Sequence, residues 1–490
     1  MATKTVGAGI LNIITESLYD KPIVVFREYV QNAVDSFFKT MGTTVAKKDL
    51  FCRIGYENGN LYFLDNGNGI DENKFENEMK HIAYSHKKRT LNMGYKGIGR
   101  LSGISYCERL VFVNIVSYKD KQYQMYVIEC QKYNELKRSD NYGELDFDEL
   151  MDKIGSFYNH DICSDKEKLN QILIKYEEMF IKQNKGFLVT LEEISPVLRQ
   201  TVLAEELITD LGWLLPVEFK SQMYEMDRKE KNLFKEITHP NGNNIIPAIG
   251  FNILYNDTLI VRPIDESMLR DYTCKFDLEY AMGFLTFRRD KIAVEKGNSF
   301  SGIKMYIDNM LLCDETELIP MLLKYGLLEH TSNELIQTVN GIGAMIYITD
   351  KVSISANARR TFIEITDSDS LRLLEKIAIF IEKIYKARYA LSKYCSGKKN
   401  MEASNQKLNE LKNLANEALV DLAAEEIFLP PEVDEIKRDF SDLTETEKKQ
   451  VIKKKLTKEV NEQIKLYLAQ VREYDFENAF ESFKTWLKAL

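Results

Sequence analysis

Three short motifs follow one another in the first hundred residues, and together they restrict the possible folds more than any other feature. "REYVQNAVDS", residues 27 to 36, has helical periodicity. At about 100° per residue Phe26, Tyr29, Val30, Ala33 and Phe37 gather on one face, while Glu28, Asn32 and Asp35 form a polar stripe opposite. After the strand-like run "LYFL" comes Asp65-Asn66-Gly67-Asn68-Gly69-Ile70. Then Gly94-Tyr95-Lys96-Gly97-Ile98-Gly99-Arg100-Leu101-Ser102 sets three glycines where a loop runs into a helix.

Taken singly, each motif has a plain structural reading. A charged stripe at this spacing is ordinarily a solvated helix face. Asx-Gly steps are ordinary turn chemistry, and a lone Gly-x-x-Gly-x-Gly is a weak signal. The functional alternative is that the stripe faces a ligand. Glycines let backbone N–H groups close in on an anion, and a helix N-terminus adds positive potential.

Order and spacing separate the two readings. Glu28-x-x-x-Asn32-x-x-Asp35, Asp65-x-Gly67-x-Gly69 and Gly94-x-x-Gly97-x-Gly99 together resemble the Bergerat-fold ATPases, the superfamily of gyrase, the 90-kDa heat-shock chaperones, histidine kinases and MutL. "HIAYSHKK" (81 to 88), which contains Ser85, is similar to the stretch that opens the ATP lid in the chaperones. The resemblance implies ATP and Mg²⁺ as ligands. Asn32 would ligate Mg²⁺, and Glu28, one turn earlier, would polarise the attacking water. Asp65 would accept a hydrogen bond from the adenine amino group, with Asp35 supporting that pocket. Gly67, Gly69 and Ile70 would pass close to the nucleotide. Gly94, Gly97, Ile98 and Gly99 would cradle the phosphates, with Lys96 either adding charge there or facing solvent.

One departure stands out. The family closes the adenine pocket with Gly-Thr on a late strand, where "GFLVTLEEI" has Gly186-Phe187. Thr190, three residues on, projects from the opposite strand face and is a poor substitute, so Phe187 is expected to pack there instead.

The second part of the chain narrows the branch. No histidine precedes His81, which sets the histidine kinases aside. "GIKMYIDNMLLCDETELIPMLLKYG" (302 to 326), "GFLTFRRDK" and "LGWLLPVEF" (211 to 219) resemble the middle domain of the 90-kDa chaperones. "SANARRTFIE" (355 to 364) is similar to the segment that sends an arginine to the γ-phosphate, which would be Arg360, with Arg359 as the competing candidate. The resemblance covers roughly residues 5 to 365.

Composition bounds the rest. The chain has 490 residues, 44% of them hydrophobic, enough for sizeable cores and about three domains. A net charge of -9 argues against a surface built throughout for nucleic-acid phosphates; it leaves room for a local basic patch, so DNA stays open as a partner but is not indicated by net charge. Seven scattered cysteines without Cys-x-x-Cys, and five histidines without metal-ligand spacing, indicate neither disulfide framework nor zinc site. No apolar run approaches a membrane span, and the expectation is a cytoplasmic, unprocessed chain.

The expected architecture is α+β. A Bergerat-fold α/β sandwich occupies residues 1–196, with a lid at about 71–93, strands at "LFCRIGYE", "NLYFLDNG", "RLVFVNIVSY", "QMYVIEC" and "GFLVTLEEI", and helices on one face. Residues 134 to 180 read as a polar, helical excursion. A transducer-like α/β middle domain spans 197–367 and opens with the strand "GFNILYND". A helical region, 368–490, carries six lysines between 448 and 458 and an apolar stripe of Phe476, Phe480, Phe483, Leu487 and Leu490, which either packs on its own domain or meets a partner.

Functionally the resemblance implies a slow ATPase acting as a conformational clamp, homodimeric, for a protein client or an effector in a multi-component system such as antiviral defence. A MORC-like or MutL-like DNA-associated clamp and an ATP-binding scaffold with little turnover are the alternatives.

Overall fold

The computed structural model describes residues 7–18, 21–40, 47–80, 98–159, 166–221, 223, 250–264, 268, 272–278, 280–287, 300–331, 333–335, 342–348, 355–356, 363–364, 368–399 and 405–423. The helix α1 (Gly9–Asn12) runs into a π-helical turn, Ile13–Leu18, and α2 follows at Val24–Thr40. Without glycine or proline in its interior, α2 runs for 17 residues. Its apolar face is wider than the periodicity alone required, since Val25 and Val34 are buried with Phe26, Tyr29, Val30, Ala33 and Phe37.

That face packs on an eight-stranded sheet of β1 (Phe51–Glu57), β2 (Asn60–Asp65), β3 (Cys107–Ser117), β4 (Gln122–Glu129), β5 (Gly155–Asn159), β6 (Gly186–Ile194), β7 (Asn252–Tyr255) and β8 (Thr258–Leu259). The spatial order is β5-β4-β3-β6-β2-β1-β7-β8. All pairs are antiparallel except β1 with β7. Asn58 and Gly59, both at positive φ, close the β1–β2 hairpin as turn residues should.

Two expectations are corrected here. The strand read from "GFNILYND" as the start of the second α/β segment pairs with β1, its residue Asn252 opposite Phe51, and so belongs to the first sheet. Helices also cover both sheet faces rather than one. The excursion at 134 to 180 contributes β5 at the sheet edge. It also contributes Leu169, Leu173, Tyr176, Met179 and Phe180, which bury Tyr62, Leu64, Val111, Val113 and Leu188 on the face away from α2. Strands buried on both sides read as continuous apolar runs, so their pattern did not reveal the second cover.

The second sheet, order β12-β11-β13-β10-β9, is built from β9 (Tyr272–Asp277), β10 (Ala281–Phe287), β11 (Gly302–Ile307), β12 (Met310–Asp314) and β13 (Ile342–Ile348). A helix at Glu315–Lys324, capped by Asp314 accepting from the Thr316 N–H, and a long helix at Ser368–Lys399 bury one face of it. Trp213, Phe219, Met223 and Ile264 pack on the other, against Phe284, Tyr306, Met345 and Tyr347. Arg262, fully buried, donates to the carbonyls of Gly212 and Trp213 and to Asn309, and lies 4.5 Å from the Tyr306 ring centre. Among the described residues no helix is long and apolar enough to cross a membrane.

Candidate functional site

The polar stripe of α2 does not face water. Asp35 is 0% exposed and Glu28 only 7%, while Asn32 is half-buried. Burying two carboxylates is costly unless something compensates them. For Glu28 the nearest compensation is Arg27, itself buried, whose guanidinium lies 3.3 Å from Oε1.

The loop after β2 and the end of the second glycine motif, Ile98 and Gly99, both lie against α2. Gly99 begins a 3-10 helix, Gly99–Tyr106, and a Cβ built on it would stand under 3.0 Å from Glu28 Oε2, nearer than real Cβ atoms come. A side chain at residue 99 would have to push the carboxylate end of Glu28 aside or shift the backbone. The same segment is tied to α2 through Tyr29, whose hydroxyl donates to the Arg100 carbonyl at 3.0 Å and accepts from the Gly103 N–H at 3.1 Å. Burial holds the Tyr29 phenol well above its ordinary range, so it stays a neutral tether.

The loop after β2 is held from several sides. Asp65 Oδ1 accepts from the Gly67 N–H at 2.9 Å, and Ser36 Oγ on α2 accepts from the Gly69 N–H at 3.1 Å. Gly69 has φ +60°, a conformation that L side chains rarely adopt. Asn66 turns the other way, accepting from the Phe51 N–H and donating to the carbonyls of Asp49 and Met179. Ile70 is fixed through its N–H and its carbonyl by Asn114 of β3.

The wall beside Asp65 is aromatic. Phe187 pairs with Asp65 across β6 and β2 and shares its sheet face with Val189 and Leu191, packing against Phe75 and Phe112 at ring distances of 6.4 and 6.5 Å. Thr190 is buried on strand β6 one step out of phase with that face, next to Tyr62. Cys52, opposite Asp65 on β1, is buried, and burial together with the Asp65 charge raises its thiol well above the usual range.

The structure thus brings Glu28, Asn32, Asp35, Asp65, Gly67, Gly69, Ile70, Ile98 and Gly99 around α2 and the strand ends it covers. Ser85, Gly94, Lys96, Gly97 and Arg360, with Arg359 and the rest of the lid beyond residue 80, lie outside the described residues. Ser36, Asn114 and Gln124 were not singled out from sequence, and Tyr29 was read there only as part of the apolar face. Asn114 and Gln124 could have been noticed as amides inside the apolar stretches 110–116 and 123–128. Among the described residues no cluster of three His, Cys, Asp or Glu side chains offers a metal cage. The donors on the stripe, the Asn32 amide with the Glu28 and Asp35 carboxylates, suit a Mg²⁺ ion that keeps waters and bridges phosphates.

Residues 21–157 match the family described as Histidine kinase-, DNA gyrase B-, and HSP90-like ATPase. The matched span runs from the residues just before α2 into β5, and so includes the stripe and both glycine loops. It supports ATP binding and hydrolysis in general terms. No curated protein matches the chain.

Proposed function

We propose that this chain is an ATP-hydrolysing conformational clamp in which Glu28 is the general base and Asn32 the Mg²⁺ ligand. The burial of Glu28 and Asp35 on the α2 stripe, with Gly99 against Glu28 and Gly69 bonded to Ser36 of the same helix, carries the reading, because a solvated face would leave both carboxylates in water. Bound Mg-ATP would supply the phosphoryl group under attack and the metal charge that offsets its negative charge. Glu28 polarises the attacking water and takes its proton, with Arg27 holding Oε1 and leaving Oε2 turned towards Gly99. Asp65 accepts from the adenine amino group, Asp35 supports that pocket, and Phe187 replaces the threonine contact of the family with an apolar wall. Gly94, Gly97 and Gly99 cradle the phosphates, with Ser85 and Lys96 in the lid and loop beside them.

The finer reading is a chaperone-like machine. It is supported by the similarity of residues 302 to 326 to the chaperone middle domain, which here forms β11, β12 and the helix capped by Asp314. Arg360 then senses the phosphate, the segment 71–93 closes as a lid, and hydrolysis times the opening of a homodimer on a protein client or effector. The test is Mg-ATP binding and turnover by the full chain, with and without double-stranded DNA. Saturable binding with slow, DNA-independent turnover supports this reading. Strong stimulation by DNA would replace it with a DNA-associated clamp, and absence of ATP binding would overturn it.

A further inference from the structure

Strand register lines up six residues in one row across the first sheet. Cys52 stands opposite Asp65, Asp65 opposite Phe187, Phe187 opposite Asn114, Asn114 opposite Gln124, and Gln124 opposite Asn159. Residues paired in this way share a face. For Asp65, Phe187, Asn114 and Gln124 that face is the one covered by α2, since Phe63, Val189, Phe112 and Tyr126, two residues along each strand, lie in the core α2 completes.

The two amides in this row interrupt the apolar stretches 110–116 of β3 and 123–128 of β4, and both are buried. A buried amide is tolerated where its hydrogen bonds are made. Asn114 Oδ1 accepts from the Ile70 N–H at 3.0 Å, and its Nδ2 donates to the Ile70 carbonyl at 2.8 Å and to Gln124 Oε1 at 3.0 Å. Gln124 Nε2 donates onward to the Glu72 carbonyl at 3.1 Å. Asn114 thus engages both backbone groups of Ile70 as a neighbouring strand would, and Gln124 extends the grip two residues further. The fit is tight: a Cβ on Gly69 would run into Asn114 Oδ1 and come to 3.0 Å from the Gly186 carbonyl oxygen.

We infer that Asn114, backed by Gln124, is a positioning residue for the nucleotide: it fastens Gly69 to Glu72 onto the sheet so that the base subsite at Asp65 and the first residues of the lid segment keep one geometry. The inference rests on the ATP-site reading above. Neither amide is placed on the phosphate. Removing one returns conformational freedom to the loop, and nucleotide binding must then supply the ordering that the amide supplied. Chemistry at Glu28, on α2, is left alone. The effect belongs in affinity rather than in turnover at saturation.

The experiment uses the full chain and Mg-ATP, measuring Kd by calorimetry and KM and kcat for hydrolysis, in wild type, Asn114→Ala, Gln124→Ala and the double variant. For Asn114→Ala the expected result is a Kd and KM raised about tenfold to a hundredfold, with kcat within about threefold. For Gln124→Ala the rise is roughly severalfold, and the double variant loses less than the product of the two, because both act on one loop. Unchanged Kd in folded single variants, a loss confined to kcat, or strictly multiplicative effects would overturn the inference. Should Asn114→Ala not fold, Gln124→Ala decides alone, since it leaves both bonds to Ile70 in place: a raised Kd supports the inference and an unchanged one refutes it. Wild type that binds no Mg-ATP would sink the site reading itself, whereas wild type that binds alongside unaltered variants sinks only this inference.

Discussion

Gly99 stands so close to Glu28 that a Cβ at residue 99 would stand under 3.0 Å from the carboxylate Oε2. The two residues come from different motifs, 71 positions apart, and their contact joins the polar stripe of α2 to the start of the 3-10 helix. Gly99→Ala must either displace the carboxylate or lift the loop. ATP turnover is expected to fall by at least about tenfold, since a misplacement of about 1 Å at a reacting group has effects of that order or more. Steady-state hydrolysis beside circular dichroism checks this: a folded Gly99→Ala variant with wild-type turnover would show that the contact has no functional weight.

Arg27 and Glu28 are a buried pair at 3.3 Å, so removing one partner strands the other's charge. Arg27→Ala is expected to cost about 3 kcal/mol of stability, and the double variant Arg27→Met with Glu28→Gln to recover much of it. Denaturant unfolding of the three proteins measures this. A single variant as stable as wild type would mean that Glu28 is compensated elsewhere.

Asp65→Asn preserves the oxygen that accepts from the Gly67 N–H and replaces the other with an amide donor. In the proposed pocket that donor would face the adenine amino group. Affinity for ATP is expected to drop roughly tenfold or more while the melting temperature barely moves, because a site built to accept a hydrogen bond rejects a mismatched partner. Calorimetric titration with ATP reads the result, and unchanged affinity would remove Asp65 from the base subsite.

Burial raises the thiols of Cys52, Cys107 and Cys313 well above their ordinary value of 9.0. The folded chain therefore holds these protons where the unfolded chain releases them. Their contribution to stability is complete below the ordinary thiol range and is lost as pH rises above it. The expected outcome is an unfolding free energy that declines above about pH 9, together with thiols that resist alkylation until the chain unfolds. Rapid modification of Cys52 in the folded protein would contradict its placement behind Asp65.

Much of this site was legible in sequence because its parts are backbone devices with local signatures. A helix stripe and glycines at fixed spacing announce themselves through periodicity and through the conformations that only glycine adopts, as at Gly69. The departure at Phe187 was legible too, since alternation along β6 separates it from Thr190. What was not legible depended on long-range pairing. Asn114 lies 44 residues from the Ile70 it holds, and Gln124 lies 52 from Glu72. Strand β7 pairs with β1 across about two hundred residues, and no local pattern specifies such a partner. The back cover from Leu169 to Phe180 was hidden for a further reason, because strands buried on both faces lose the alternation that would reveal which sides are covered.

The most direct test of the central claim is Mg-ATP binding and hydrolysis measured side by side in wild type and Glu28→Gln. The account predicts that Glu28→Gln binds Mg-ATP within about threefold of wild type and hydrolyses it roughly a hundredfold to ten-thousandfold more slowly, the range expected on losing a general base. Wild-type turnover by a Glu28→Gln protein that still binds Mg-ATP would contradict it.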